Sequence, residues 1–162
     1  MEPDHGGAGA TDAGRTRAAE FAVFVATAEP RLRRALFPVG GAATADAVAD
    51  ALAYGWEHWD RVRAMDNPVG YLYRVGRSRL RPRKVPVLPQ PDPTRLPDVE
   101  PGLPDALARL PERQRVAVVL MHGFGWTHQE VADLWEVSVS TVRNHLSRGM
   151  DHLRDALGGP SR

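Results

Sequence analysis

Ser140, Thr141, Arg143, Asn144, Ser147 and Arg148 crowd one short helical stretch near the end of the chain. All are hydrogen-bonding or cationic, and at helical spacing they lie outside an apolar stripe. In the major groove an arginine fork matches guanine O6 and N7, and an asparagine amide matches adenine N6 and N7. Hydroxyls and further arginines serve bases or phosphates. The chemistry such a face suits is base reading rather than bond making. The same pattern also suits a solvated amphipathic helix on a small bundle, and patterning alone leaves both readings open.

Two helix starts position that face. Thr127 has Glu130 three residues on, the spacing of a capping box, and Val131, Leu134 and Trp135 then share one side. A break at Glu136-Val137 leads to a second cap, Ser138. From there Val142, Leu146, Met150, Leu153 and Leu157 form one stripe, which Gly158-Gly159-Pro160 ends. Two helices joined by so short a turn, the second longer and basic outside, predict a helix-turn-helix.

Composition bounds the rest. The chain has 162 residues, a formal charge of +1 and no cysteine. Any basic surface must therefore be local, and thiol catalysis, disulfides and cysteine-based metal sites are excluded. No signal peptide and no membrane-spanning apolar run is evident, so a soluble, cytoplasmic protein without membrane insertion is expected. His58, His122, His128, His145 and His152 lack metal-site spacing backed by carboxylates, and no phosphate loop or activated nucleophile is present. The expectation is no enzyme, no cofactor and no metal.

In chain order, residues 1–15 read as a disordered tail, rich in Gly, Ala and Asp. Residues 16–81 read as a bundle of three or four helices. Phe21, Phe24, Val25 and Ala28 mark the first, Pro30 suits the first turn of the next, and Pro38-Val39-Gly40-Gly41 is a turn. A longer helix over Thr44–Val62 faces Val48, Leu52, Trp56, Trp59 and Val62 inward, with Asp46 and Asp50 outward at i, i+4. Asp66-Asn67-Pro68 breaks it. The next helix, Val69–Arg81, turns Leu72 and Val75 inward and Arg74, Arg77, Arg79 and Arg81 outward. With Arg83 and Lys84 these form a basic strip suited to tracking phosphates. Either Tyr71 or Tyr73 could serve as a stacking platform for a single-stranded base, a contact worth ~1–3 kcal/mol. Residues 82–104 carry proline every few positions and read as an extended linker, able at ~3.1 Å per residue to span up to ~70 Å. Residues 105–158 form a second helical domain: a short helix at Asp105–Arg109, one begun by Pro111 with Val116, Val119 and Leu120 buried, then the helix-turn-helix. The fold class is all-α, two small bundles joined by a Pro-rich linker.

The stretch LPERQRVAVVLMHGFGWTHQEVADLWEVSVSTVRNHLSRGMDHLRDAL resembles the −35-reading domain of extracytoplasmic-function (ECF) sigma factors of bacterial RNA polymerase. Leu110, Pro111, Arg113, Gln114, Arg115, Gly125, Thr127, Glu130, Val131, Ala132, Val137, Ser138, Thr141, Val142, Arg143, Leu146, Arg148 and Gly149 fit that family's pattern. A shorter version recurs in other bacterial regulators, so the N-terminal half matters. There FAVFVATAEPRLRRAL, TADAVADALAYGWEHWD and NPVGYLYRVGRS are similar to the family's −10-reading domain, keeping Asp46, Asp50 and Trp56. The chain departs from the family at Ala45, Ala49, Leu52, Tyr71 and Ser78, and Pro82 cuts short the basic extension.

The resemblance implies a sigma factor whose partners are core RNA polymerase, through the β′ clamp helices and the β flap, and promoter DNA, with an anti-sigma factor as a further partner. It implies polymerase contact through Asp46 and Asp50. Contact with the −10 element falls to Asn67, Tyr71, Arg74, Arg77, Arg79 and Arg81. Reading of the −35 element falls to Ser140, Thr141, Arg143, Asn144 and Ser147, with Arg113, Arg115 and Arg148 on phosphates. The rival expectations are a degenerate sigma-like regulator working by protein contact, and a helix-turn-helix repressor using the C-terminal half alone.

Overall fold

The computed structural model describes residues 7–80 and 102–158, all of them helix, turn or coil with no strand. The first unit begins with α1 (Gly7–Gly40), followed by a single 3₁₀ turn, α2 (Thr44–Glu57), the short α3 (Trp59–Val62) and α4 (Pro68–Arg79). Ala28, Leu32, Ala35 and Leu36 give α1 a continuous buried face at three- and four-residue spacing. Against it lie Ala47, Val48 and Ala51 of α2 and Leu72 and Tyr73 of α4. Asn67 caps α4, its Oδ1 accepting from the Gly70 N–H at 2.8 Å, and Pro68 sits in the first turn where no donor is lost. Gly76 lets α4 approach closely, since a Cβ there would lie 2.7 Å from a Leu36 methyl and 3.1 Å from the Ala47 carbonyl oxygen.

Several expectations are corrected. Pro30 and Pro38 do not divide α1, which runs through both. An interior proline costs about 3 kcal/mol, but the face of Ala28, Leu32, Ala35 and Leu36 carries its burial straight past Pro30, and Pro38 is itself fully buried. Residues 7–15, expected in the tail, belong to α1, because extending a packed helix avoids a second nucleation; residues 1–6 lie outside the described residues. The helix expected over 44–62 breaks at His58. That break turns Trp59 inward and leaves Trp56 38% exposed, with the Arg17 guanidinium 4.4 Å from its ring centroid. Trp56 is therefore at the surface rather than in the core.

The second unit contains α5 (Leu103–Arg109), α6 (Glu112–Val118), a π-helical segment over Val119–Gly123, α7 (His128–Trp135) and α8 (Val139–Ala156). Leu103 and Pro104, expected in the linker, open α5; most of the expected linker lies outside the described residues. The π segment closes with Phe124 N–H donating to the Val119 carbonyl at 3.1 Å. Both expected caps form. The Thr127 hydroxyl accepts from Glu130 N–H while the Glu130 carboxylate accepts from Thr127 N–H at 2.8 Å, and the Ser138 hydroxyl accepts from Thr141 N–H. The turn between α7 and α8 places Glu136 at φ 55°, in the left-handed region.

The two units are not held apart. α1 packs on α6 and the π segment, and α4 packs on α7. One apolar cluster runs from Leu32, Leu36 and Tyr73 into Val116, Leu120, Trp126 and Trp135. At its edge Phe37 and Phe124 meet edge to face, centroids 6.4 Å apart. Arg115 donates to the Pro38 carbonyl at 2.9 Å, satisfying an acceptor in the last turn of α1.

The capping box generates a stability prediction. Thr127→Ala should cost ~1 kcal/mol in urea unfolding, and adding Glu130→Ala should cost less than the sum, since both serve one box. The backbone N–H and hydroxyl of Thr127 hold the Glu130 carboxyl below its usual range. A depressed folded pKa stabilises above the unfolded value and ceases to as pH falls through the folded one, so the cost of Thr127→Ala should shrink on acidification. A cost independent of pH would contradict the box's ionic character.

Candidate nucleic-acid interface

Along α8, Ser140, Arg143, Asn144, Ser147 and Arg148 are exposed, while Val142, Gly149 and Leu153 are buried. The helix thus presents the polar face its sequence requires. Ser140 and Thr141 are less free than their types suggest, because both hydroxyls lie 2.8 Å from Ser138 Oγ within the cap. Arg143, Asn144, Ser147 and Arg148 form no hydrogen bond or ion pair with other described residues and are open to an external partner.

Sequence reasoning passed over two supports. His145 meets the Trp135 ring edge-on at 6.0 Å, and burial, then Arg113 and Arg148, hold its pKa below the ordinary value. It is therefore a neutral group on a basic helix at neutral pH. Gly149 is the close-approach point of α8 on α6: a Cβ there would lie 3.0 Å from a Val118 methyl and 3.3 Å from the Gln114 carbonyl oxygen. Beside it the buried Gln114 side chain lies 2.8 Å from His152 Nδ1, which explains a glutamine within an apolar helix face.

The cations assigned to phosphates fall into two groups. Arg148 points to solvent, and Arg79 is exposed. Arg74, Arg77, Arg113 and Arg115 have internal partners, and Arg83 and Lys84 lie outside the described residues. The Arg115 guanidinium is half-buried and donates to the carbonyls of Pro38, Leu110 and Ala108, with desolvation lowering its pKa, so the expected phosphate contact is corrected to a structural one. Arg113 lies over the Trp135 ring at 4.6 Å. Arg74 pairs with Glu136, and Arg77 pairs with Glu112, each at 2.5 Å. Asn67 donates to the Asp133 carbonyl at 2.6 Å. Tyr71 is half-buried, its hydroxyl 3.0 Å from that of Tyr54 and its ring flanked by Arg61 and Arg74. Arg81 lies outside the described residues. Asp46 and Asp50 are exposed one turn apart on α2, with Ala45 and Ala49 beside them.

This helical order, capped turn and exposed basic face coincide with a family match. Residues 102–153 match the family model of sigma-70 region 4. The C-terminal unit is thus similar to sigma-70 region 4. The match spans α5 to the buried Leu153 of α8, and the first unit lies outside it. No curated protein sequence matches the chain. Over both units the fold is similar to that of the sigma factor RpoE from Bartonella quintana, solved in complex with the anti-sigma factor NepR. The TM-score is 0.60 at 19% identity, covering 86% of this chain and 97% of that one. At that identity the likeness is one of fold.

Within the region 4 unit, Gly149 gives a direct check of how α8 is seated. Gly149→Ala gains helix propensity but places a methyl against backbone that cannot swing aside, and should cost ~1–3 kcal/mol. A variant at least as stable as the parent by thermal or urea unfolding would show that α8 does not sit this close to α6.

Proposed function

We propose that the chain is an ECF-type sigma factor that directs core RNA polymerase to promoters and has no catalysis of its own. In this reading α8 reads the −35 element through Arg143, Asn144 and Ser147, with Ser140 and Thr141 at its entry and Arg148 on phosphate. The loop at Asn67, with Tyr71, Arg74, Arg77, Arg79 and Arg81, takes the −10 element. Asp46 and Asp50 meet the β′ clamp helices, the region 4 unit meets the β flap, and residues 82–104 connect the two. The site of action is the cytoplasm, where polymerase works. An anti-sigma factor is a fitting partner, since the similar RpoE was solved with one. The observation that carries the reading is the exposed polar face of α8 inside a region 4 unit, joined in one chain to a second bundle in a sigma-factor fold.

A second reading has one observation in its favour. Arg74, Arg77 and Asn67 engage the region 4 unit instead of standing free, as suits a regulator that works through protein contact. Run-off transcription with purified core polymerase on a pooled promoter library separates the two. The sigma reading expects discrete starts that depend on the added chain, and their absence would favour the regulator.

The recognition helix adds a residue-level prediction. Arg143→Ala should cost ~1–3 kcal/mol on selected promoter DNA and relax the preference at one base position. Arg148→Ala should weaken all sequences alike and reduce the salt slope by about one. Equal, sequence-blind losses from both would leave base reading by Arg143 without support.

A further inference from the structure

The turn between α7 and α8 holds a residue poorly suited to its backbone. Glu136 is the one non-glycine among the described residues with positive φ, at 55°. A left-handed C-cap favours glycine or asparagine, because a Cβ crowds the neighbouring carbonyl. The Glu136 side chain reaches out of the region 4 unit to Arg74 on α4. One helical turn along α4, Arg77 meets Glu112 at the start of α6, and that carboxylate is the main influence raising the arginine's pKa. Before α4, the Asn67 amide donates to the Asp133 carbonyl in the last turn of α7.

These contacts have two common properties. Each joins the two units, and each engages a residue assigned to the −10 element, while the −35 face of α8 stays open. Both ion pairs are between half-exposed side chains, so neither adds much to stability. Their consequence is occupancy. A carboxylate oxygen on an arginine fills the position a phosphate oxygen would take, and carries the same sign of charge.

Resting on the sigma-factor reading, we propose that Glu112 and Glu136, with the Asp133 carbonyl, form an internal latch that stands in for nucleic-acid phosphate on the −10 strip. The free chain then meets duplex DNA through α8 but is closed to single-stranded DNA until the two units part. The ligand excluded is a single strand lying along Asn67, Arg74 and Arg77.

The test uses the full chain with Glu112→Gln and Glu136→Asn. Asparagine tolerates the left-handed turn, so that substitution removes the charge without straining the fold, and the single Glu136→Asn variant suffices if the pair is unstable. A control with Asp151→Asn and Asp155→Asn makes the same change in net charge on the far end of α8. The probes are a fluorescent oligo-dT of about 20 nucleotides and a mixed-sequence duplex of similar length. The latch variant should bind oligo-dT about three- to tenfold more tightly at low salt, with a steeper salt dependence. The control should gain less, and duplex affinity should rise no more in the latch variant than in the control. Equal gains by both variants, or a latch-variant gain equal on duplex and single strand, would reduce the effect to net charge and overturn the proposal. No gain on oligo-dT would overturn it as well. Transcription by the parent chain with core polymerase reports separately on the sigma reading, which can stand when the latch fails and fall when the latch holds.

Discussion

The structure depends on an apolar junction in which α1 and α4 of the first unit close on α6 and α7 of the region 4 unit. Leu36 and Tyr73 on one side and Leu120, Trp126 and Trp135 on the other belong to one buried cluster. Small bundles bury a modest fraction of their surface, and sharing a core raises that fraction for both. Polar groups conform to the junction. Arg115 satisfies the end of α1, and burial raises the pKa of the Tyr73 hydroxyl, with the Trp135 indole acting in the opposite sense.

The junction also sets the electrostatic character of the surface. Cations that would otherwise form a continuous strip on α4 are balanced by acids of the other unit. Arg113 is drawn over the Trp135 ring. Arg143, Asn144, Ser147 and Arg148 stay open, as does Arg79 at the end of α4. The polar face of α8 is thus presented in the closed chain, whereas Asn67, Arg74 and Arg77 are engaged internally. This asymmetry follows from where the carboxylates sit, since the net charge of +1 would not produce it.

The region 4 unit was highly legible in the sequence because its signals are local. The Thr127–Glu130 box, the Ser138 cap and the stripe from Val142 to Leu153 are short-range patterns that the backbone must satisfy wherever the unit sits. The first unit was less legible for the converse reason. Whether Pro30 ends a helix or lies inside one depends on packing several turns away, and the burial of Leu32 and Leu36 decided it. The inward–outward assignment along Val69–Arg81 found Leu72 but left Tyr73 open to stacking, because the cluster that buries it includes residues of the second unit as well as the first. Arg115 shows the same limit: its place in an L-P-x-R-Q-R pattern does not say whether its partner is a phosphate or a helix carbonyl. Periodicity identifies a buried face, and not the element that buries it.

In the proposed function the chain is one closed body when free and parts into two on the polymerase. With no cysteine of its own, the chain accepts a donor and an acceptor dye at Val23→Cys and Asp155→Cys, exposed positions in the two units. Energy transfer measured on single molecules, alone and with core RNA polymerase, reports the separation directly. The free chain should give one high-transfer population, which should shift to low transfer on the polymerase. A free chain already at low transfer, or a closed distance that survives polymerase binding, would contradict it.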